Sequence, residues 1–308
     1  MSNKQLSNIA KSIKDKLLTH AQMRGEIFSF VLQRYGSHRL LYRLSQSDYK
    51  EQFILKGATL FSVWKNDEIH RATKDLDLLS FGNNEVEELK EIFQNICCQE
   101  CPQDGLTFFP ETIKAQKIKK GQIYEGVKVT LQAKLESAKI QVQVDIGFGD
   151  AVTPDALKVE LSTFSFLKLP LPCLRTYHRE TVIAEKFQAM IFLGIRNSRL
   201  KDFYDIWYLS KNFEFQGDLL CKAIKATFER RETPLLITIP FAFTEDFTKH
   251  PDKQKQWTGF LNNTKLELRT LMLSEVIAEI ESFLMPAYRA VAEQREFNKR
   301  WCPEKKWY

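Results

Sequence analysis

Two aspartates separated by one residue, Asp75 and Asp77 in the run Thr73-Lys74-Asp75-Leu76-Asp77-Leu78-Leu79, fit a divalent-metal clamp better than a surface charge pair. In an extended strand side chains alternate faces, so acids at i and i+2 point the same way, roughly 7 Å apart at the backbone. Their carboxylates can converge on one cation. Leu76 and Leu78 fall on the opposite face, where a core can anchor the strand and leave the acids a rigid platform. The same pattern also describes an exposed edge strand of alternating polarity.

The elements around the pair sharpen the choice. Upstream, Phe53-Ile54-Leu55-Lys56 reads as an apolar strand that runs into Gly57-Ala58-Thr59 and then into an amphipathic stretch expected to be helical. Small residues at such a turn let backbone N–H groups approach an anion, and the helix N-terminus adds partial positive charge. Gly57 alone fits a turn without a ligand equally well, but a small-residue turn followed by a D-x-D strand describes a triphosphate site with its metal. Downstream, the alternating runs Val127–Ala133 and Ile140–Ile146 predict a β-hairpin. Ile140, Val142, Val144 and Ile146 share one face, which places Asp145 on the other with Gln141 and Gln143. A third carboxylate can therefore stand on a strand beside the first two. Without Asp75 and Asp77, Asp145 would read as part of an exposed polar face.

A second set of candidates lies further along. In the helix expected from Thr181 to Gly194, the residues Val182, Ile183, Phe187, Met190 and Ile191 form an apolar stripe, and Lys186 falls within it. Such a lysine either snorkels to the surface or reaches a triphosphate bound between two domains, and periodicity does not choose. In the next helix Asp202 and Asp205 are neighbours at i and i+3, a placement that wants a nearby cation. Lys186, Arg199 and Lys201 are candidates, and a surface ion-pair network of small energetic value is the alternative.

The chain carries a formal charge of +6 and six cysteines. Cys97, Cys98 and Cys101 cluster without a partner pair at zinc-ligand spacing and read as free thiols. His20, His38, His70, His178 and His250 are scattered, which supports neither a zinc hydrolase nor a Cys-His nucleophile. No charged leader precedes an apolar run and no apolar stretch has the length of a membrane span, so a cytoplasmic location is expected. Cations gather at Lys114, Lys117, Lys119 and Lys120, at Arg230 and Arg231, and in the tail from Phe297 to Tyr308, which mixes them with aromatics. Basic clusters attract phosphate backbones. The tail reads as frayed and solubilising or as RNA-binding, and Arg230 and Arg231 as contacts to nucleic acid. The Pro-rich Leu169-Pro170-Leu171-Pro172 reads as a linker. Helices are expected over residues 5–45, to cover one face of a sheet, and again from Glu85. This gives residues 1–170 as one domain and the mainly helical residues 171–308 as a second.

Five blocks in order carry a resemblance: Leu55–Leu60, Arg71–Leu78, Val144–Ile146, Ile183–Ala189 and Arg199–Trp207. From about residue 24 to residue 285 the chain resembles the AbiEii/AbiGii-type toxin family, within the polymerase-β-like nucleotidyltransferases. Ala58 departs from the Gly or Ser usual in that superfamily, with Thr59 as the source of a hydroxyl, and the gap to Asp75 is longer than in its shorter members. The resemblance implies an α+β fold, with a nucleotidyltransferase core of mixed sheet flanked by helices and a helical C-terminal domain that completes the active-site cleft. It implies transfer of a nucleoside monophosphate from an NTP, with Mg²⁺ or Mn²⁺ held by Asp75, Asp77 and Asp145. Gly57, Ala58, Thr59, Lys186 and Asp202 fall to the nucleotide, and Lys186 and Asp205 to the catalytic set. It further implies a toxin of a toxin–antitoxin or phage-defence system, an antitoxin encoded nearby, and RNA, first of all the 3′ end of tRNA, as acceptor. A small-molecule or protein hydroxyl as acceptor, and a binding module without catalysis, are the rival readings.

Overall fold

The two alternating runs decide which face of the sheet is the core. Val127, Val129, Leu131 and Ala133, and Ile140, Val142, Val144 and Ile146, are each at most 3 % exposed. A helix lies directly on them: a Cβ at Gly36 would stand 2.8 Å from Ile140 Cγ2 and 3.3 Å from Val142 Cγ2, so the absent side chain is what admits this close approach. The opposite face of the same strands holds the polar residues, Asp145 among them.

The computed structural model describes residues 3–65, 71, 73, 75–120, 124–264 and 270–308. Of the residues named above, His70, Ala72 and Lys74 lie outside these, as do the side chains of Lys119 and Lys120. The chain divides into two units, Met1–Gly149 with Leu157–Thr176, and Asp150–Ala156 with Tyr177–Tyr308.

The first unit contains α1 (Asn3–Met23), α2 (Phe28–Gln46), β1 (Phe53–Lys56), α3 (Thr59–Trp64), β2 (Asp75–Ser80), α4 (Val86–Cys97), β3 (Leu106–Lys120), β4 (Tyr124–Leu135), β5 (Ala138–Phe148), β6 (Leu157–Glu160) and β7 (Cys173–Thr176). Its sheet is mixed, in the order β3-β4-β5-β2-β1-β7-β6. The hairpin β4–β5 is antiparallel, β2 joins β5 in parallel, and β1 pairs antiparallel to β2. Helix α2 packs on β5 and α4 on β3, which gives the expected helical cover of one face. Ile27 caps α2 and is exposed, whereas Val31, Leu32, Leu40, Leu41 and Leu44 are buried.

A buried charge cluster ties this cover to the sheet. Asp104, fully buried, accepts from Arg39 Nε at 3.0 Å and Arg43 Nη1 at 2.7 Å, and its second oxygen accepts from the Leu106 amide. Arg39 also donates to the Pro170 carbonyl at 2.7 Å, and Pro172 accepts from the Leu161 amide. The Pro-rich stretch thus sits inside the first unit, hydrogen-bonded to it, rather than serving as a free linker.

The second unit is largely helical: α5 (Arg179–Leu193), α6 (Leu200–Asn212), α7 (Gly217–Arg230), α8 (Glu245–Thr248), α9 (Pro251–Thr264) and α10 (Leu273–Ala292), with short strands β8 (Phe215–Gln216), β9 (Arg300–Cys302) and β10 (Lys306–Trp307). The three strands pair in the order β10-β9-β8. This sheet corrects the expectation of a frayed tail. Trp301 is fully buried and donates to the Ser210 carbonyl at 2.7 Å, Trp307 donates to Phe283 O at 2.8 Å, and Lys306 pairs with Glu279. Trp301 and Trp307 close a core around Phe283, so the tail is not frayed, while Tyr308 at its end is exposed.

Candidate active site

Strand register assembles the acidic half of the site. Across the parallel β2–β5 pair Asp77 stands opposite Asp145 and Asp75 opposite Gln143. Residues directly opposite on adjacent strands present side chains to the same face. Asp75, Asp77 and Asp145 are half-buried there, while Leu76 and Leu78 are 2 % and 1 % exposed on the core side. This is the amphipathic platform the alternation requires, and since β2 lies between β1 and β5 it is not an edge strand. Gln143 Nε2 donates to Asp145 Oδ1 at 3.1 Å and helps orient that carboxylate.

The turn after β1 closes against the same acid. Gly57 has φ +75°, a left-handed conformation that favours glycine. A Cβ at this position would stand 2.2 Å from Asp77 Oδ2 and 2.7 Å from Asp77 Cβ. The backbone therefore occupies the space beside the carboxylate that any side chain would fill. Ala58 and Thr59 follow, both half-buried. The helix they open, α3, runs to Trp64, and Ala58, at its N-cap, offers no side-chain oxygen.

Two basic residues complete the row. Lys56 is the register partner of Asp77 on β1, and Lys128 is the partner of Asp145 on β4. The order across the sheet is Lys128, Asp145, Asp77, Lys56, alternating in pairs of charge on one face. Lys56 is 9 % exposed, a degree of burial that a lysine tolerates only with polar partners. Neither lysine was singled out by spacing along the chain, because the row runs perpendicular to it.

The donors suit a hard divalent cation, which takes carboxylate oxygens. The carboxylates are aligned without being gathered: among the described residues no three His, Cys, Asp or Glu side chains stand as a metal-ligand group. Gly57 brings the backbone of the turn directly against the Asp77 side chain, which fills the place a Cβ would take, so the turn and that carboxylate stand side by side where a metal-bound phosphate would need both.

In the second unit the structure brings Lys186, Asp202 and Asp205 together. Lys186 Nζ lies 2.6 Å from Asp202 Oδ1 and 2.8 Å from Asp205 Oδ2, and Arg199 Nε lies 2.8 Å from Asp202 Oδ2. Both carboxylates are fully buried and the Lys186 side chain is 11 % exposed. The lysine does not snorkel, and the network is internal rather than a surface one. Asp202 engages Lys186 as closely as Asp205 does. Phe187, the next residue, is fully buried against Phe228, Phe243 and Tyr288, which fixes the helix that carries the lysine.

Arg231 departs from expectation. Its guanidinium donates to Asp150 Oδ1 at 2.9 Å and to Gln188 Oε1 at 2.9 Å, and its side chain is 14 % exposed. It is committed to holding α5 and Asp150, not presented to nucleic acid. Arg230 is exposed.

The family model described as the nucleotidyl transferase AbiEii toxin of type IV toxin–antitoxin systems matches residues 39–294. No curated protein is detectably similar to the chain. Among solved structures, JHP933 from Helicobacter pylori aligns at 16 % identity over 85 % of this chain and 94 % of its own, with a TM-score of 0.46. MenT4, a nucleotidyltransferase toxin from Mycobacterium tuberculosis H37Rv, aligns at 14 % identity over 92 % of this chain and 99 % of its own, with a TM-score of 0.49.

Proposed function

We propose, for a chain that belongs to the AbiEii family of nucleotidyltransferase toxins, metal-dependent transfer of a nucleoside monophosphate from an NTP to RNA, with the 3′ end of tRNA as first candidate. The observation that carries this reading is the row in which Asp77 and Asp145 stand in register with Gly57 closed against Asp77. Phosphoryl transfer asks a protein chiefly for positioning and charge neutralisation.

Asp75, Asp77 and Asp145 would hold Mg²⁺ or Mn²⁺, which when bound neutralises phosphate charge and stabilises the departing pyrophosphate. The acceptor hydroxyl oxygen forms a bond to the α-phosphorus, the bond from that phosphorus to the bridging oxygen breaks, and pyrophosphate leaves. Asp145 takes the hydroxyl proton. The Gly57-Ala58-Thr59 turn receives phosphate oxygens through backbone N–H groups and the Thr59 hydroxyl. Lys56 and Lys128 flank the acids of the row with opposite charge on the adjacent strands. Lys186 steadies the triphosphate, and Asp202 and Asp205 orient its ammonium.

The family assignment implies an antitoxin as partner, and we take it to be encoded nearby. Among the described residues no helix is long and apolar enough to cross a membrane; a cytoplasmic site of action is part of the proposal. The test is growth after induced expression in bacteria, native chain against Asp77→Ala at matched protein levels, followed by sequencing of tRNA 3′ ends. Arrest and added nucleotides with the native chain alone are expected. Equal arrest by both chains would show that toxicity does not use the acid row.

A further inference from the structure

We propose that the open face of β3, β4 and β5 is the track along which the acceptor RNA lies, an assignment that rests on RNA being the acceptor. By register this face carries Lys114, Lys128, Lys134 and Lys139, with Gln132 and Gln141 paired between them. All but Lys128 are exposed, whereas the opposite face of the same strands is core beneath α2 and α4. Among the described, registered positions of these three strands, Asp145 is the one carboxylate on the open face.

The end remote from the acids supplies an independent sign. Lys134 and Lys139 stand directly opposite each other in the β4–β5 ladder. Like charges so placed destabilise a sheet, and the nearby turn carboxylate of Glu136 is engaged by Lys14 at 2.6 Å. The pair therefore does nothing for the fold and suits an external polyanion. From Lys139 to Asp145 the strand rises about 20 Å, and there Lys128, Asp145 and Asp77 form one row. A phosphodiester chain matches the lysines by charge. The glutamines offer both donors and acceptors to ribose hydroxyls and base edges without selecting one base. The track thus delivers an RNA end to the acid row by backbone contact, with little sequence preference.

The test measures binding of the full chain to labelled tRNA across salt concentrations, native against Lys134→Gln with Lys139→Gln. Relieving a like-charge pair leaves the fold intact, which thermal melting checks. Each phosphate contact contributes about 0.7 (single strand) to 0.9 (duplex) to the slope of log affinity against log salt. The double variant is expected to lower that slope by about 2 and to weaken binding about tenfold or more, with NTP binding in the absence of RNA unchanged. If the native chain labels RNA and the variant keeps its affinity and slope, the track is wrong and the acceptor reading stands. If the variant loses slope but the native chain labels no RNA with any NTP, the face binds RNA without delivering an acceptor, and the acceptor reading falls with the track that rests on it. A native chain that does not bind RNA overturns both.

Discussion

The acid row of the first unit and the Lys186 cluster of the second contain the same types of charge arranged to opposite ends. Asp75, Asp77 and Asp145 are half-buried on the face away from the core, aligned by register and held at their flanks. Asp202 and Asp205 are fully buried, and each lies within 2.8 Å of Lys186 Nζ. Desolvated charges persist only when closely paired, and removing one partner leaves the other uncompensated. In the proposed function the first set meets a ligand, while the second, by its burial and pairing, is also part of the fold. A substitution in the row should act on turnover, and one in the cluster on stability as well.

The largest effect that separates the two is expected at Asp77. Asp77→Ala should lower transfer by about 10³-fold, the equivalent of roughly 4 kcal/mol of lost charge stabilisation, with a melting temperature close to native. Asp202→Ala should instead cost about 3–5 kcal/mol of stability by removing the buried carboxylate that pairs with both Lys186 and Arg199 and leaving Asp205 to balance the lysine alone, read by denaturant unfolding. If Asp77→Ala unfolds the chain, or Asp202→Ala leaves its stability unchanged, the comparison fails.

A buried titratable group far from catalysis gives a third measure. His38 is buried, donates from Nε2 to the Leu161 carbonyl at 3.2 Å, and packs edge-on to Phe164. Burial pushes its pKa down to about 4. The folded value lies below the ordinary 6.5, so the unfolded chain takes up this proton first as pH falls. Stability is fully present above pH 6.5 and is lost as pH falls from about 6.5 to about 4, by about 3 kcal/mol in all. Unfolding curves at several pH values should show this loss, and His38→Gln should flatten it. The smallest effect is expected at the turn. Gly57→Ala adds strain at φ +75° and presses a methyl group on Asp77, worth about 1–3 kcal/mol, read as a fall in transfer that exceeds any fall in stability.

How much of this was legible before the fold can be traced through particular residues. Asp75, Asp77 and Asp145 are visible because strand alternation is local and carries its own test in Leu76 and Val144. Their partnership is not local. The parallel pairing of β2 with β5 spans the whole β3–β4 hairpin, and no periodicity in either strand specifies its register. Lys56 and Lys128 were missed for the same reason. Lys186 was conspicuous as a cation in an apolar stripe, but the choice between exposure and pairing depended on the approach of α6. The tail misled because its mixture of cations and aromatics is equally that of a solvated segment and of a strand covering a hydrophobic core. Trp301 and Trp307 take the second course only because Phe283 is there to receive them. Asp104 carried no signal at all: one acid in a short turn becomes a buried anchor through Arg39 and Arg43 on α2.

The central claim is that the acid row performs nucleotide transfer to RNA. Its most direct test is to incubate purified native chain and Asp77→Asn, matched for folded fraction, with Mg²⁺, extracted tRNA and each of the four NTPs labelled at the α-phosphate. The account predicts label in tRNA with at least one NTP for the native chain and none above background for Asp77→Asn. Equal labelling by both chains, or no labelling by the native chain with any NTP, would contradict it.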